Sequence, residues 1–167
     1  PNLNMQKQPC CAIKCFIKAV QIEPDNPDAI YQLGIAHEQC EEEDMALMIY
    51  QKLIENSPNY INAYVRKSSL LMKMELYRPA LALYKEILKI SPDDYQSLVN
   101  LGSIYFYKKM YLEAINCYNK SIQIEPDNYA TYYNLGNVYA EIENFELALS
   151  NYNKSLELNP EKAEIYS

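Results

Sequence analysis

The chain has no tryptophan, one histidine and three glycines among 167 residues. With His37 alone, no Ser/His/Asp constellation for nucleophilic catalysis can be placed. Three glycines supply neither G-x-x-x-x-G-K-[ST] nor G-x-G-x-x-G, so nucleotide phosphates have no backbone cradle. No apolar run approaches the roughly 20 residues that span a bilayer. The stretch 1–9 is polar and lacks the apolar core of a secretory signal. Cations are also scarce: 15 Lys and Arg stand against 22 Asp and Glu, a formal charge of −7. Nucleic acid is recognised by Lys/Arg clusters that displace phosphate counterions, so this balance argues against it and against anionic membrane surfaces. A neutral or basic protein partner fits the charge better.

What is present is a period. Pro24, Pro58, Pro92, Pro126 and Pro160 recur at one unvarying interval. Twelve residues before each stands an alanine: Ala12, Ala46, Ala80, Ala114 and Ala148. Eight residues before stands an aromatic: Phe16, Tyr50, Tyr84, Tyr118 and Tyr152. The glycines Gly34, Gly102 and Gly136 all hold one position relative to these prolines, and Ser68 holds the fourth equivalent site. A fixed period of this size, about 34 residues, means that one structural unit has been copied and stacked. A small residue inside a helix costs about 1 kcal/mol in propensity, so its recurrence points to close approach of a second helix.

Each unit reads as two helices. Leu98, Leu101, Gly102 and Tyr105 follow the i, i+3, i+4, i+7 spacing of one buried helical face. Ala114, Ile115, Tyr118, Ser121 and Ile122 repeat it in a second helix. The closing proline cannot continue that helix and biases its predecessor away from helical angles. Asp or Asn then follows, as in Pro24-Asp25-Asn26 and Pro126-Asp127-Asn128, which suits a turn and a cap. Pro79 stands near the start of a second helix, where its missing N–H is harmless.

These residues resemble the tetratricopeptide repeat (TPR) family: a helix-turn-helix unit of about 34 residues with W-x2-L-G-x2-Y, then A-x3-F, then P. The third repeat shows Leu98, Leu101, Gly102, Tyr105, Ala114, Tyr118 and Pro126; the fourth shows Tyr132, Leu135, Gly136, Tyr139, Ala148, Tyr152 and Pro160. Repeats are expected at 27–60, 61–94, 95–128 and 129–162, with a partial one at 1–26 and the start of another at 163–167. The 61–94 repeat is degenerate, with Lys67, Ser68 and Leu71 where Leu, Gly and Tyr are usual. The resemblance implies an all-α, right-handed α-solenoid whose first helices line a concave groove. The chain is expected to be a segment of a longer array.

The expected function is protein–protein interaction, without catalysis or cofactor. On the family's geometry, Gln32, Arg66, Asn100, Tyr107, Tyr133, Asn134 and Asn137 face the groove and hold a segment of a protein or peptide partner. An amide both donates and accepts, so Asn100 and Asn134 can bond an extended backbone whatever its side chains. They resemble rungs of the asparagine ladder in the O-linked N-acetylglucosamine transferase, which makes a substrate-recognition arm of such an enzyme the alternative. A structural subunit of a ciliary, transport or ubiquitin-ligase assembly is a third reading. TPR co-chaperones hold a C-terminal carboxylate with five Lys, Arg and Asn residues. The corresponding positions Val65, Ser69, Asn100, Ala130 and Asn134 match at Asn100 alone, which argues against chaperone-type carboxylate binding.

The remaining features have structural explanations. An odd count of five cysteines suggests a reducing, cytoplasmic setting, with a cytoskeletal or ciliary assembly as a variant. Cys10, Cys11, Cys15, His37 and Cys40 could gather, but adjacent cysteines do not chelate well as a pair, so no metal site is expected. His37 replaces a buried tyrosine of the motif. Glu41-Glu42-Glu43-Asp44 opens a second helix, where the dipole stabilises negative charge. The triplets Asn119-Lys120-Ser121 and Asn153-Lys154-Ser155 fall within second helices and are read as accidental glycosylation matches.

Overall fold

The computed structural model describes residues 7–159, in which nine helices and no strand occur. Helices stop two residues before the closing prolines. This holds for α1 (Lys7–Ile22), α3 (Glu43–Asn56), α5 (Tyr77–Ile90) and α7 (Tyr111–Ile124). The intervening first helices are α2 (Pro27–Gln39), α4 (Ile61–Lys73), α6 (Tyr95–Tyr107) and α8 (Tyr129–Glu141), and α9 (Phe145–Leu158) ends the described chain. Pro79 is the third residue of α5, in its first turn. The expected start of a further repeat at 163–167 lies outside the described residues.

Asx residues after the prolines start three of the four first helices. Asn26 Oδ1 accepts from the amides of Asp28 and Ala29, both at 3.1 Å. Asn128 Oδ1 accepts from Ala130 at 3.1 Å and Thr131 at 3.2 Å, and Asp94 Oδ2 accepts from Ser97 at 3.0 Å. These bonds satisfy amides that have no partner within the helix. In α4 the cap position is Tyr60, which makes no side-chain cap bond.

The turn between the helices of each pair has a residue in the left-handed region: Glu41, Glu75, Lys109 and Glu143, with φ of 59–60°. The flanking amides bond in the Schellman pattern, as in Glu143 N to Ala140 O at 3.0 Å and Asn144 N to Tyr139 O at 2.9 Å. Glycine is usual at such a site; here the chain tolerates Glu or Lys each time.

The described chain divides into two compact units at Leu83/Tyr84, inside α5. In the first unit, α1 packs on α2, α2 on α3 and α3 on α4. Ile30, Leu53 and Ala63 form one buried cluster, and Ala46, Tyr50 and Leu70 form another. In the second unit α6 packs on α7, α7 on α8 and α8 on α9, around Val99, Ala114, Tyr118, Leu135 and Val138.

Within the pairs, the small residue of the first helix faces the tyrosine of the second. A Cβ placed on Gly34, Gly102 or Gly136 would stand 2.4, 2.7 or 2.6 Å from a ring atom of Tyr50, Tyr118 or Tyr152. The ring fills the space that a side chain would need. Inserting atoms into a packed contact costs about 1–3 kcal/mol. Gly102→Val is expected to destabilise the chain by about 2–3 kcal/mol on that scale, measured by urea unfolding. Gly102→Ser, the residue already present as Ser68, should cost less than about 1 kcal/mol, because helix propensity gained offsets part of the crowding.

Candidate partner-binding site

The tyrosine that packs on the glycine also reaches through to the face of the first helix. In the first unit Tyr50 donates to Glu38 Oε1 at 2.6 Å. In the second, the Tyr118 and Ser103 hydroxyls stand 3.1 Å apart, and Tyr152 donates to Asn137 Oδ1 at 2.8 Å. Ser103 and Asn137 are equivalent positions, one period apart. The first repeat has Ile35 there, which cannot accept, so Tyr50 turns to Glu38 one helical turn further on.

On the first unit this face is internally paired. Glu38 also lies 3.5 Å from Arg66 Nη1 across α2 and α4. A hydrogen bond with Tyr31 is the largest cause that raises the Arg66 pKa above its ordinary value. Tyr60 donates to Asp28 Oδ1 at 2.7 Å, and Lys73 Nζ meets Glu43 Oε1 at 2.6 Å. Burial, then the bond to Asp28, pushes the Tyr60 phenol up to about 12. The rings of Tyr31 and Tyr60 are 5.4 Å apart. Gln32 is exposed on α2, and Arg66 is ion-paired.

The second unit differs in charge. Helix α6 carries no charged residue and α8 carries one, Glu141. The two helices touch directly. Asn100 and Asn134 stand at equivalent positions on them, both half-buried. Tyr107 is 63% exposed at the end of α6, its ring 6.0 Å from that of Phe106. Asn137 has its amide oxygen committed to Tyr152. Tyr133, 52% exposed, lies over Tyr152 at 5.7 Å and lines a pocket between α8 and α9. Its equivalent Tyr31 is flanked by Tyr60 from the turn ahead of the following first helix.

The structure thus brings together Asn100, Asn134 and Asn137 on one pair of helices with a single charge between them. It keeps Arg66 in an ion pair of the first unit and places Tyr133 in the pocket between α8 and α9. The role of Glu38 was not legible in the motif, which assigns that position no partner. His37 is buried with Nδ1 2.6 Å from Glu42 Oε2, tying the turn to the core. The hydroxyls of Ser121 and Ser155 are turned inward, to Tyr95 O at 3.3 Å and Tyr129 O at 2.9 Å. No group of three or more metal-ligating side chains occurs among the described residues, and none of their helices is long and apolar enough to cross a membrane.

Tetratricopeptide repeat models match residues 28–60, 61–94 and 93–161. The chain belongs to the tetratricopeptide repeat family. Its fold is an all-α TPR solenoid, a fold that serves as a protein-interaction scaffold. A solved structure of MamA from Desulfovibrio magneticus RS-1, from residue 41 onward, is 22% identical with a TM-score of 0.83, covering 95% of this chain and 93% of that one. The MamA RS-1 ArsTM double mutant is likewise 22% identical, with a TM-score of 0.84 over 95% and 89% of the two chains. YrrB, described as a TPR protein with an unusual peptide-binding site, is 21% identical with a TM-score of 0.78, over 95% and 81%. At these identities the likeness concerns the fold. No curated protein matches the sequence.

Burial raises Cys117, Tyr118 and Tyr152 of the second unit above their ordinary values. Burial pushes the Cys117 thiol up to about 11 and the Tyr118 phenol up to about 12. Their ordinary values are about 8.5 and about 10. Above about pH 9 the unfolded chain therefore releases protons that the folded chain retains, so stability falls as pH rises. The thermal midpoint should be flat in this respect from pH 7 to 8 and decline between about pH 9 and 12. Cys117→Ala should remove the earlier part of that decline.

Proposed function

We propose that this TPR array is a scaffold that holds an uncharged, extended segment of a protein partner on the first-helix face of α6 and α8. The observation that carries the reading is the lack of charge on these helices: Glu141 is their one ionisable acid or base among Asp, Glu, Lys, Arg and His. A charged segment laid there would lose hydration without a counter-charge, a cost of several kcal/mol. Asn100 and Asn134 would bond its backbone, with Tyr107 and the N–H groups of Asn137 beside them. Gln32 and Arg66 would extend the contact on the first unit only if the Glu38 ion pair opens. Tyr133 would contribute from α8. The repeats proposed as the units of the array are 27–60, 61–94, 95–128 and 129–162, in a cytoplasmic setting.

A substrate-recognition arm of a glycosyltransferase-like enzyme is the second reading, favoured by the Asn100 and Asn134 pair. Gln32 and Arg66 stand at the other two equivalent positions. YrrB is relevant here as a TPR protein with a peptide-binding site.

Affinity capture on the chain, compared with Asn100→Ala/Asn134→Ala, tests the proposal. Each lost amide should weaken a specific partner by about tenfold, from about 1–1.5 kcal/mol per hydrogen bond. Capture by the original chain should change little between low and high salt, since no ion pair is involved. A partner retained by the double variant, or released by salt alone, would contradict the reading.

A further inference from the structure

Lys67 of α4 stands where the other described repeats have Leu33, Leu101 and Leu135. Leu101 and Leu135 are buried, 5% and 3% exposed. Lys67 is half-buried. An ammonium set in an apolar register loses hydration and needs a counter-charge to hold it.

The counter-charge is near but engaged elsewhere. Lys67 Nζ donates to Gln51 Oε1 of α3, and Gln51 Nε2 donates to Glu55 Oε1 at 2.7 Å. A neutral amide thus stands between the amine and the carboxylate. Lys73, Lys89 and Lys154 each meet a glutamate directly, at 2.6, 2.6 and 3.2 Å. Lys67 makes no such ion pair among the described residues. Burial lowers its pKa below the ordinary lysine value, and the charge of Glu55 acts in the opposite sense. A partly desolvated lysine without a direct counter-charge is the form in which this side chain serves as a nucleophile.

Acylation would also suit the position. An N-acyl lysine has no charge to desolvate, and its remaining N–H can still donate to Gln51 Oε1. The modified side chain comes closer to the leucine of the other repeats than the ammonium does.

We propose that Lys67 is an acylation site, whose free amine takes a short acyl group from an activated carrier, an acyl thioester or an acyl phosphate. Nζ attacks the carbonyl carbon and the N–C bond forms. The C–S or C–O bond to the departing thiolate or phosphate breaks, and the amine proton passes to water.

Incubation of the chain with acetyl phosphate, or in a second arm with the acetyl thioester of N-acetylcysteamine, followed by peptide mass spectrometry, tests the proposal. At about pH 7.5, Lys67 should be acetylated about threefold faster than Lys108 and Lys109, the exposed lysines of the α6–α7 turn, because a larger free-amine fraction outweighs a lower intrinsic nucleophilicity. The preference should vanish above about pH 11, where ordinary lysines are uncharged as well. Gln51→Glu sets a carboxylate against Nζ and should abolish the preference, with helix content by circular dichroism unchanged. Should that variant fail to fold, the pH–rate profile of the unaltered chain decides: Lys67 should reach its half-maximal rate at lower pH than Lys108 and Lys109. A preference seen with one donor alone supports the site and names the carrier. Acetylation of Lys67 no faster than that of the turn lysines with either donor, or a preference that survives Gln51→Glu, would overturn the proposal.

Discussion

The contact between a side-chain-free helical position and a tyrosine ring governs each described pair in which it occurs. At Gly34, Gly102 and Gly136 the ring occupies the volume that a Cβ would take. That brings the two helices of a pair close enough to bury Ala46, Ala114 and Ala148 between them. Glycine in a helix carries a propensity cost of about 1 kcal/mol, which the buried aromatic offsets by removing a large apolar area from water. A stack built in this way spreads its core along its length, each pair leaning on its neighbours.

The same contact decides what the first helices can display. A tyrosine packed this deeply must bond its hydroxyl, because a buried donor without a partner costs about 1–3 kcal/mol. The partner is drawn from the first helix, and its identity sets the character of the face. Where that residue is Glu38, the carboxylate also draws Arg66, and the first unit closes into a network of Tyr31, Tyr50, Glu38 and Arg66. Where it is Ser103 or Asn137, no charge is introduced, and α6 and α8 remain a nearly neutral surface bearing amides and aromatic rings. The proposed division of labour, a self-paired first unit and a receptive second, follows from this difference.

The repeat period carries most of the fold, because each closing proline, alanine and aromatic marks a fixed point of one pair. Helix starts were legible in Asn26, Asp94 and Asn128, whose side chains do cap. The left-handed turn residues were not: the chain has Glu41, Glu75, Lys109 and Glu143 where a glycine would have announced the conformation. The equivalent places of Asn100 and Asn134 on α6 and α8 were legible, because the repeat period sets them. The engagement of Arg66 was hidden, since it depends on Ile35 being unable to accept from Tyr50.

The most direct test of the account is site-specific photo-crosslinking to the captured partner. A benzophenone amino acid would replace Tyr107, on the uncharged helix α6, or Leu112, 75% exposed on the second helix α7. The account predicts partner adducts from position 107 and none from position 112. Adducts from position 112 alone would place the partner against the second helices and contradict it.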